Sequence, residues 1–297
     1  MAEVAHEAGG ALVEYIYSVL ILIGINVIMA SSFNLIIGYG GLISIAHPIF
    51  FALAGYCSAI VSMKFGVPIP LAILLGTLFS TVLSLALSLP SLRVSGDYLL
   101  IASIGFQLGF VEVIKNIEAA GAASGLTGIP PLFSGPLRSP SFVATIFVVA
   151  ALVVWLVHRM THGDYGRAIQ AMRDDEECFA SLGRNAMAIK AAIFAVGSGL
   201  AGLAGALYAH YSEFLSPEQF GVIQSGLILS MVVVGGMGTT AGPVVGALLL
   251  TALPQAITFL NLPTSVMAPL QGMLYTGLVL VFIFLKPSGL MARKVRE

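Results

Sequence analysis

The sequence is short of charge above all. Thirteen Lys and Arg with 14 Asp and Glu make up only 9% of its 297 residues, and the formal net charge is −1. Soluble domains carry about a quarter charged residues, so this chain lacks the polar side chains that would clothe a water-soluble globule. The basic patches that nucleic acid demands are missing too, which excludes a nucleic-acid partner. The two cysteines, Cys57 and Cys178, follow no paired spacing and read as unpaired thiols. The opening stretch MAEVAHEAGGALVEY holds no Lys or Arg, whereas a cleaved secretory signal needs a basic start. No G-x-x-x-x-G-K-[ST] phosphate loop, no H-E-x-x-H, no G-x-S-x-G and no paired metal ligands occur. The expectation is a non-enzyme with no metal site and no cofactor.

What the chain does contain is apolar sequence. It is 58% hydrophobic, with a mean hydropathy of +1.00. A helix needs about 20 mostly apolar residues to cross a bilayer. Nine candidate segments follow: Tyr15–Ile37, Leu42–Met63, Ile69–Leu92, Tyr98–Val113, Phe142–Val157, Ile189–Ala209, Val222–Val234, Pro243–Phe259 and Leu270–Leu285. The shorter ones extend into their flanks or enter the membrane as half-helices. None alternates with period two, so a β-barrel is excluded. The predicted fold is all-α, a single polytopic membrane domain over residues 1–297 with eight to ten transmembrane helices.

The little charge there is gathers in one place. Ten of the 27 charged residues lie between Arg159 and Lys190. Arg159, Arg167, Arg173, Arg184 and Lys190, with Lys286, Arg293, Lys294 and Arg296 near the C-terminus, make nine of the 13 basic residues. Positive charge marks cytoplasmic loops, so loop 158–190 and the C-terminus are both expected there. Four spans separate them, and an even number returns the chain to the same side. The connection Ile114–Ser141 and the loops HYSEFLSPEQF and NLPTSVMAP then lie outside, as does the N-terminus.

From Arg167 to Leu182 the residues favour a helix, and Gly183 ends it. Ile169, Met172, Glu176, Phe179 and Leu182 recur at three- and four-residue spacing, which predicts one amphipathic helix of about four turns. Two readings stand: a solvated loop helix, or an exposed stripe that docks in a groove of a soluble partner.

Two apolar stretches are broken by glycine. Asn34–Tyr56 carries Gly38, Tyr39, Gly40 and Gly41, then Ser44, His47 and Pro48; Val232–Leu250 carries Gly235, Gly236 and Gly238, then Thr239, Thr240 and Pro243. Irregular backbone at membrane depth survives only inside protein or beside a water-filled cavity. Such paired breaks point to a transport pathway, though two tight turns between spans would read the same. His47 is read as a packed, hydrogen-bonded residue rather than a proton relay. Gly197, Ala201 and Gly205, with Ser198, Gly202 and Ala206 one position on, form a close-packing helix face.

Taken in order, several of these stretches resemble a known family. NLIIGYGGLISIAHPIFFALAGY, SGDYLLIASIGF, SGLTGIP, YGRAIQAMRDDEECFASLGRN, AGLAGALYAHY and VVVGGMGTTAGPVVGA are similar to the motifs of the M-type permease subunit of branched-chain amino acid ABC importers. The likeness covers about Asn34 to Leu285. It implies a fold like that of the larger ABC importer permeases and a multi-pass place in a bacterial or archaeal inner membrane. It also implies four kinds of contact: a second homologous permease in a heterodimer, two cytoplasmic ATPase subunits, a periplasmic or extracellular solute-binding protein, and the lipid bilayer. On that resemblance Arg167, Met172, Arg173, Asp174, Glu176, Glu177, Phe179 and Gly183 would dock the ATPase. Asn34, Gly38, Tyr39, Gly40, Gly41, Ser44, His47, Gly235, Gly236, Gly238, Thr239 and Pro243 would line the path. Glu177 and Gly183 keep the family's Glu-to-Gly spacing, but Cys178 and Phe179 stand where small residues are usual. Ala46-His47-Pro48-Ile49-Phe50 departs from the family's Gly-His-Ala-Ala-Phe, and relatives carry urea, short amides and aromatic acids. A gradient-driven transporter or channel and a structural membrane scaffold are the competing readings.

Overall fold

The computed structural model describes residues 2–91, 97–135, 137–256, 264–286 and 289–291. Arg293, Lys294 and Arg296 lie outside the described residues. The elements are α1 (Ala2–Asn34), α2 (His47–Phe65), α3 (Ile69–Ser91), α4 (Asp97–Lys115), β1 (Leu126–Thr127), α5 (Arg138–Thr161), α6 (Asp164–Asp174), α7 (Glu176–Ser181), α8 (Ala186–Ser212), β2 (Phe214–Leu215), α9 (Val222–Gly235), α10 (Gly242–Ala256) and α11 (Thr264–Leu285). The fold is an all-α polytopic membrane protein. Each of the nine expected segments falls largely on a helix; α2 begins only at His47, because the residues before it form the glycine break. Among the described residues, six helices are long and apolar enough to cross a membrane, and Val222–Gly235, Gly242–Gln255 and Leu270–Phe282 are shorter apolar helices.

α1, α2 and α8 form the centre, and α3, α4 and α5 pack around them. The small-residue face of α8 explains how closely the centre packs. A Cβ on Gly205 would overlap the carbonyl of Phe51 in α2, and one on Gly202 would lie 3.0 Å from both Ala54 Cβ and Ser80 Oγ. Helix backbones that approach this closely gain dispersion contacts that lipid cannot replace. The outer helices show the complement: Leu74, Leu78 and Val82 of α3 are exposed apolar side chains, which call for an apolar surrounding rather than water.

The two ends of the bundle differ. At one end the connections expected outside meet. β1 pairs antiparallel with β2, Leu126 opposite Leu215 and Thr127 opposite Phe214. Arg138 forms an ion pair with Glu213, and His210 Nδ1 lies 2.7 Å from the Pro130 carbonyl. At the other end lie the charged segment, both glycine breaks and the C-terminal turn, where Leu290 N–H and Met291 N–H donate to the carbonyls of Val234 and Gly235 at 2.9 Å. Loop 158–190 and the chain's last described residues therefore share one end, as the span count requires.

Candidate functional site

The first glycine break begins where α1 widens. Leu35–Tyr39 forms a π-turn, with Gly40 N–H donating to Leu35 O at 3.1 Å. Such turns leave side chains out of helical register and are common at functional sites. Asn34 stands at this junction, fully buried. Its carboxamide grips the second break twice: Nδ2 donates to Thr239 O at 2.8 Å, and Oδ1 accepts from Gly238 N–H at 2.9 Å. The two breaks thus face each other across one side chain. Glycine is required at Gly38, where a Cβ would overlap Asn34 Oδ1 and sit 2.6 Å from Gly238 N. Gly238 itself holds φ +72, a left-handed conformation that disfavours other residues.

The second break is the tip of a helical hairpin. α9 and α10 have 14 and 15 residues, so they reach only about 21 and 22 Å, short of the ~30 Å hydrocarbon core. Gly235 packs on the Gly242 carbonyl, and Thr239 Oγ1 accepts Gly242 N–H at 3.1 Å while donating to Gly236 O. Pro243 is buried in the first turn of α10, where its missing N–H is harmless.

The charged segment closes over this junction. Arg173, in the last turn of α6, donates from Nη1 to Gly38 O at 2.6 Å. Its stem lies over Gly41, whose Cβ would meet Arg173 Cγ at 2.8 Å. One arginine therefore connects the charged segment to the π-turn, and Asn34 connects that turn to the hairpin tip.

Two expectations about this segment change. It is two helices rather than one over Arg167–Leu182, because the acidic run contains a capping residue. Asp175 is extended (φ −153, ψ 101), and its side chain accepts Cys178 N–H at 2.8 Å, ending α6 and starting α7. The apolar stripe is also not exposed for a partner. Ile169, Met172 and Phe179 are buried where α6 and α7 seat on α5, α8 and the π-turn. Met172 and Phe179 thus hold the segment to its own chain. Glu176, half exposed, pairs at 2.6 Å with Lys190, whose side chain is only 6% exposed. Arg167 pairs with Asp164. Arg167, Asp174, Glu177, Leu182 and Gly183 are exposed.

The remaining expected path residues split into two groups. Tyr39, Gly238 and Thr239 border a cavity of about 210 Å3 with Thr161, His162 and Gln170, beside the Asn34 contacts. Ser44 and His47 lie buried in the core. His47 Nε2 lies 2.8 Å from Ser32 Oγ, its ring packs on Phe33, and its Nδ1 is buried without a partner among the described residues. Gly40 sits against the Ile36 carbonyl within the turn, and Gly236 carries φ +119 in the hairpin tip.

Sequence reading missed one feature. Deeper in the bundle a cavity of about 280 Å3 lies between α1, α2, α8 and α9. Asn26, Tyr208, Gln219 and Gln224 supply its polar groups, and Leu22, Ile25, Met29, Pro48, Phe51 and Phe220 its apolar wall. Phe220 is fixed from behind, since Gln107 Nε2 donates to its carbonyl at 2.9 Å and to Ser225 Oγ at 2.8 Å. An uncharged, mixed lining of this size suits a small molecule with one apolar and one polar part. The available signal was Asn26, an amide in the middle of an apolar span.

Comparison with known proteins agrees with this architecture. A family model described as "Branched-chain amino acid transport system / permease component" matches residues 15–284. The chain is 30% identical over 300 residues to the high-affinity branched-chain amino acid transport system permease protein LivM of Salmonella typhimurium, an alignment covering 92% of this chain and 67% of that one. It is 29% identical to LivM of Escherichia coli K12 over the same shares. It is 24% identical over 206 residues to LivH of Escherichia coli K12, covering 65% of this chain and 63% of that one. No solved structure matches.

Proposed function

The chain belongs to the family of branched-chain amino acid transport permease components, and from that premise we propose that it carries small zwitterionic amino acids with apolar side chains across the membrane by ATP-driven alternating access. Its partners in this reading are a second, LivH-like permease, two ATPase subunits on the side of the charged segment, and a solute-binding protein at the opposite end. The charged end is cytoplasmic.

The observation that carries the reading is the connection from Arg173 to Gly38, and from Asn34 to Gly238 and Thr239. It joins the segment expected to grip an ATPase to the contact that closes the inner end. The solute rests in the Asn26–Gln224 cavity, where carboxamides meet its charged groups and the apolar wall meets its side chain. When the ATPases move the α6–α7 segment, Arg173 pulls on the π-turn, the Asn34 contacts part, and the solute leaves inward. Exposed Leu182 and Glu177 grip the ATPase directly.

The test separates grip from transmission. Glu177→Arg with Leu182→Asp is expected to abolish co-purification of the ATPases. Arg173→Ala is expected to keep them bound but to lower the solute moved per ATP hydrolysed in proteoliposomes. An unchanged ratio for Arg173→Ala would break the proposed connection. Uptake that continues without ATP would replace it with a gradient-driven mechanism.

A further inference from the structure

A groove on the outside of the bundle, apart from the Asn34 contacts, fits a different ligand. It runs between α5 and α10 over a floor of α1 and encloses about 620 Å3. Its walls are apolar, chiefly Val27, Phe147, Ala151, Val154, Val244 and Leu248. Phe147, Trp155 and Leu248 are 43%, 61% and 49% exposed, so the groove opens sideways, where a bilayer surrounds the protein. From Phe147 to His158 it follows α5 for about 16 Å, close to the ~15 Å hydrocarbon depth of a single leaflet.

Its two ends differ in chemistry. Phe147 and Leu248 form one end; His158 and Thr240 form the other, at the charged end of the bundle. There the rings of His158 and His162 stack with centroids 3.9 Å apart. Arg159 continues the i+4 row Phe147–Ala151–Trp155. It is exposed and has no ion-pair partner among the described residues. No Asp or Glu lines the groove. Trp155 lies within one turn of His158 at that end, and tryptophans are enriched at membrane interfaces.

We propose that the α5–α10 groove holds one anionic phospholipid of the inner leaflet, with an acyl chain along Ala151 and Val244 and its phosphate against Arg159 and His158. An apolar trough alone would accept any chain. With no carboxylate in its lining and Arg159 one turn beyond Trp155, the mouth selects a negative headgroup, to which a basic residue near the surface is attracted by Coulomb forces.

Native mass spectrometry of the purified assembly tests this, after exchange into vesicles of phosphatidylcholine mixed with phosphatidylglycerol. The wild type is expected to retain phosphatidylglycerol in preference to phosphatidylcholine. Arg159→Gln leaves the trough intact and should cut that preference about fivefold, the factor one juxtamembrane arginine supplies. Ala151→Trp, which fills the trough, should abolish retention of both lipids. A photoreactive side chain at position 151 should crosslink lipid. Crosslinking to the second permease chain instead, or equal retention of both lipids by wild type and Arg159→Gln, would overturn the proposal.

Discussion

Replacing Asn34 by alanine tests the inner contact most directly. The side chain is fully buried and makes two hydrogen bonds to the hairpin tip. A neutral hydrogen bond contributes about 1 kcal/mol net, and a stranded buried partner costs about 1–3 kcal/mol. Both bonds are only part-buried, so water can reach the freed Gly238 N–H and Thr239 carbonyl, and the lower figures apply. The closed state should lose about 2 kcal/mol relative to an open one, which is about 30-fold in population. Met29 offers a readout. It lines the deeper cavity, more than a turn beyond Asn34 on α1. In a Met29→Cys variant with Cys57 and Cys178 changed to serine, an impermeant maleimide is added from the charged side only. The labelling rate should rise about 30-fold in Asn34→Ala if opening precedes labelling. Gly38→Ala should act in the same direction by the opposite means, since its Cβ would push Asn34 and Gly238 apart. If both variants fold, melt lower and label at the wild-type rate, the contact is structural and the gating argument fails.

Two further outcomes follow from packing and charge. Glu176→Ala should lower stability by about 1–3 kcal/mol, less than for a fully buried pair because Glu176 is half exposed, and thermal unfolding should show recovery when Lys190→Met removes the stranded ammonium. A double variant no more stable than the single one would mean that Lys190 reaches water. Gly205→Ala should cost about 1–3 kcal/mol through overpacking against the Phe51 carbonyl, read as a lower melting temperature in detergent; an unchanged value would mean that α2 and α8 separate freely.

The spans were legible because lipid imposes one rule along the whole chain: about 20 apolar residues with every backbone group bonded internally. The small-residue face of α8 was legible for a related reason, since few sequences place Gly197, Ala201 and Gly205 in register without close packing. The charged segment was half legible. Its helical spacing was real, but spacing does not say which surface covers the stripe, and Ile169, Met172 and Phe179 turned toward their own chain. The break at Asp175 hid in an acidic run where four residues look alike and only one caps. The meeting of the two glycine breaks depends on partners 204 and 205 positions apart, a relation that no local pattern records. The Asn26–Gln224 cavity was illegible for the same reason, because its wall is assembled from four separate helices and a turn.

The short ladder between β1 and β2 has a mechanical consequence. Two strands of two residues contribute little to stability. With the Arg138–Glu213 pair and the His210–Pro130 contact, however, they bind the α4–α5 connection to the α8–α9 connection through backbone and side-chain groups together. At the opposite end the carboxamide of Asn34 and the guanidinium of Arg173, both of which let go by turning about single bonds, join the π-turn to the hairpin tip and to the charged segment. If the Asn34 and Arg173 contacts part while the β1–β2 ladder stays paired, the two connections at the ladder move as one unit. The α6–α7 segment meets the start of α8, and the ladder follows its far end, so the full length of α8 lies between the two.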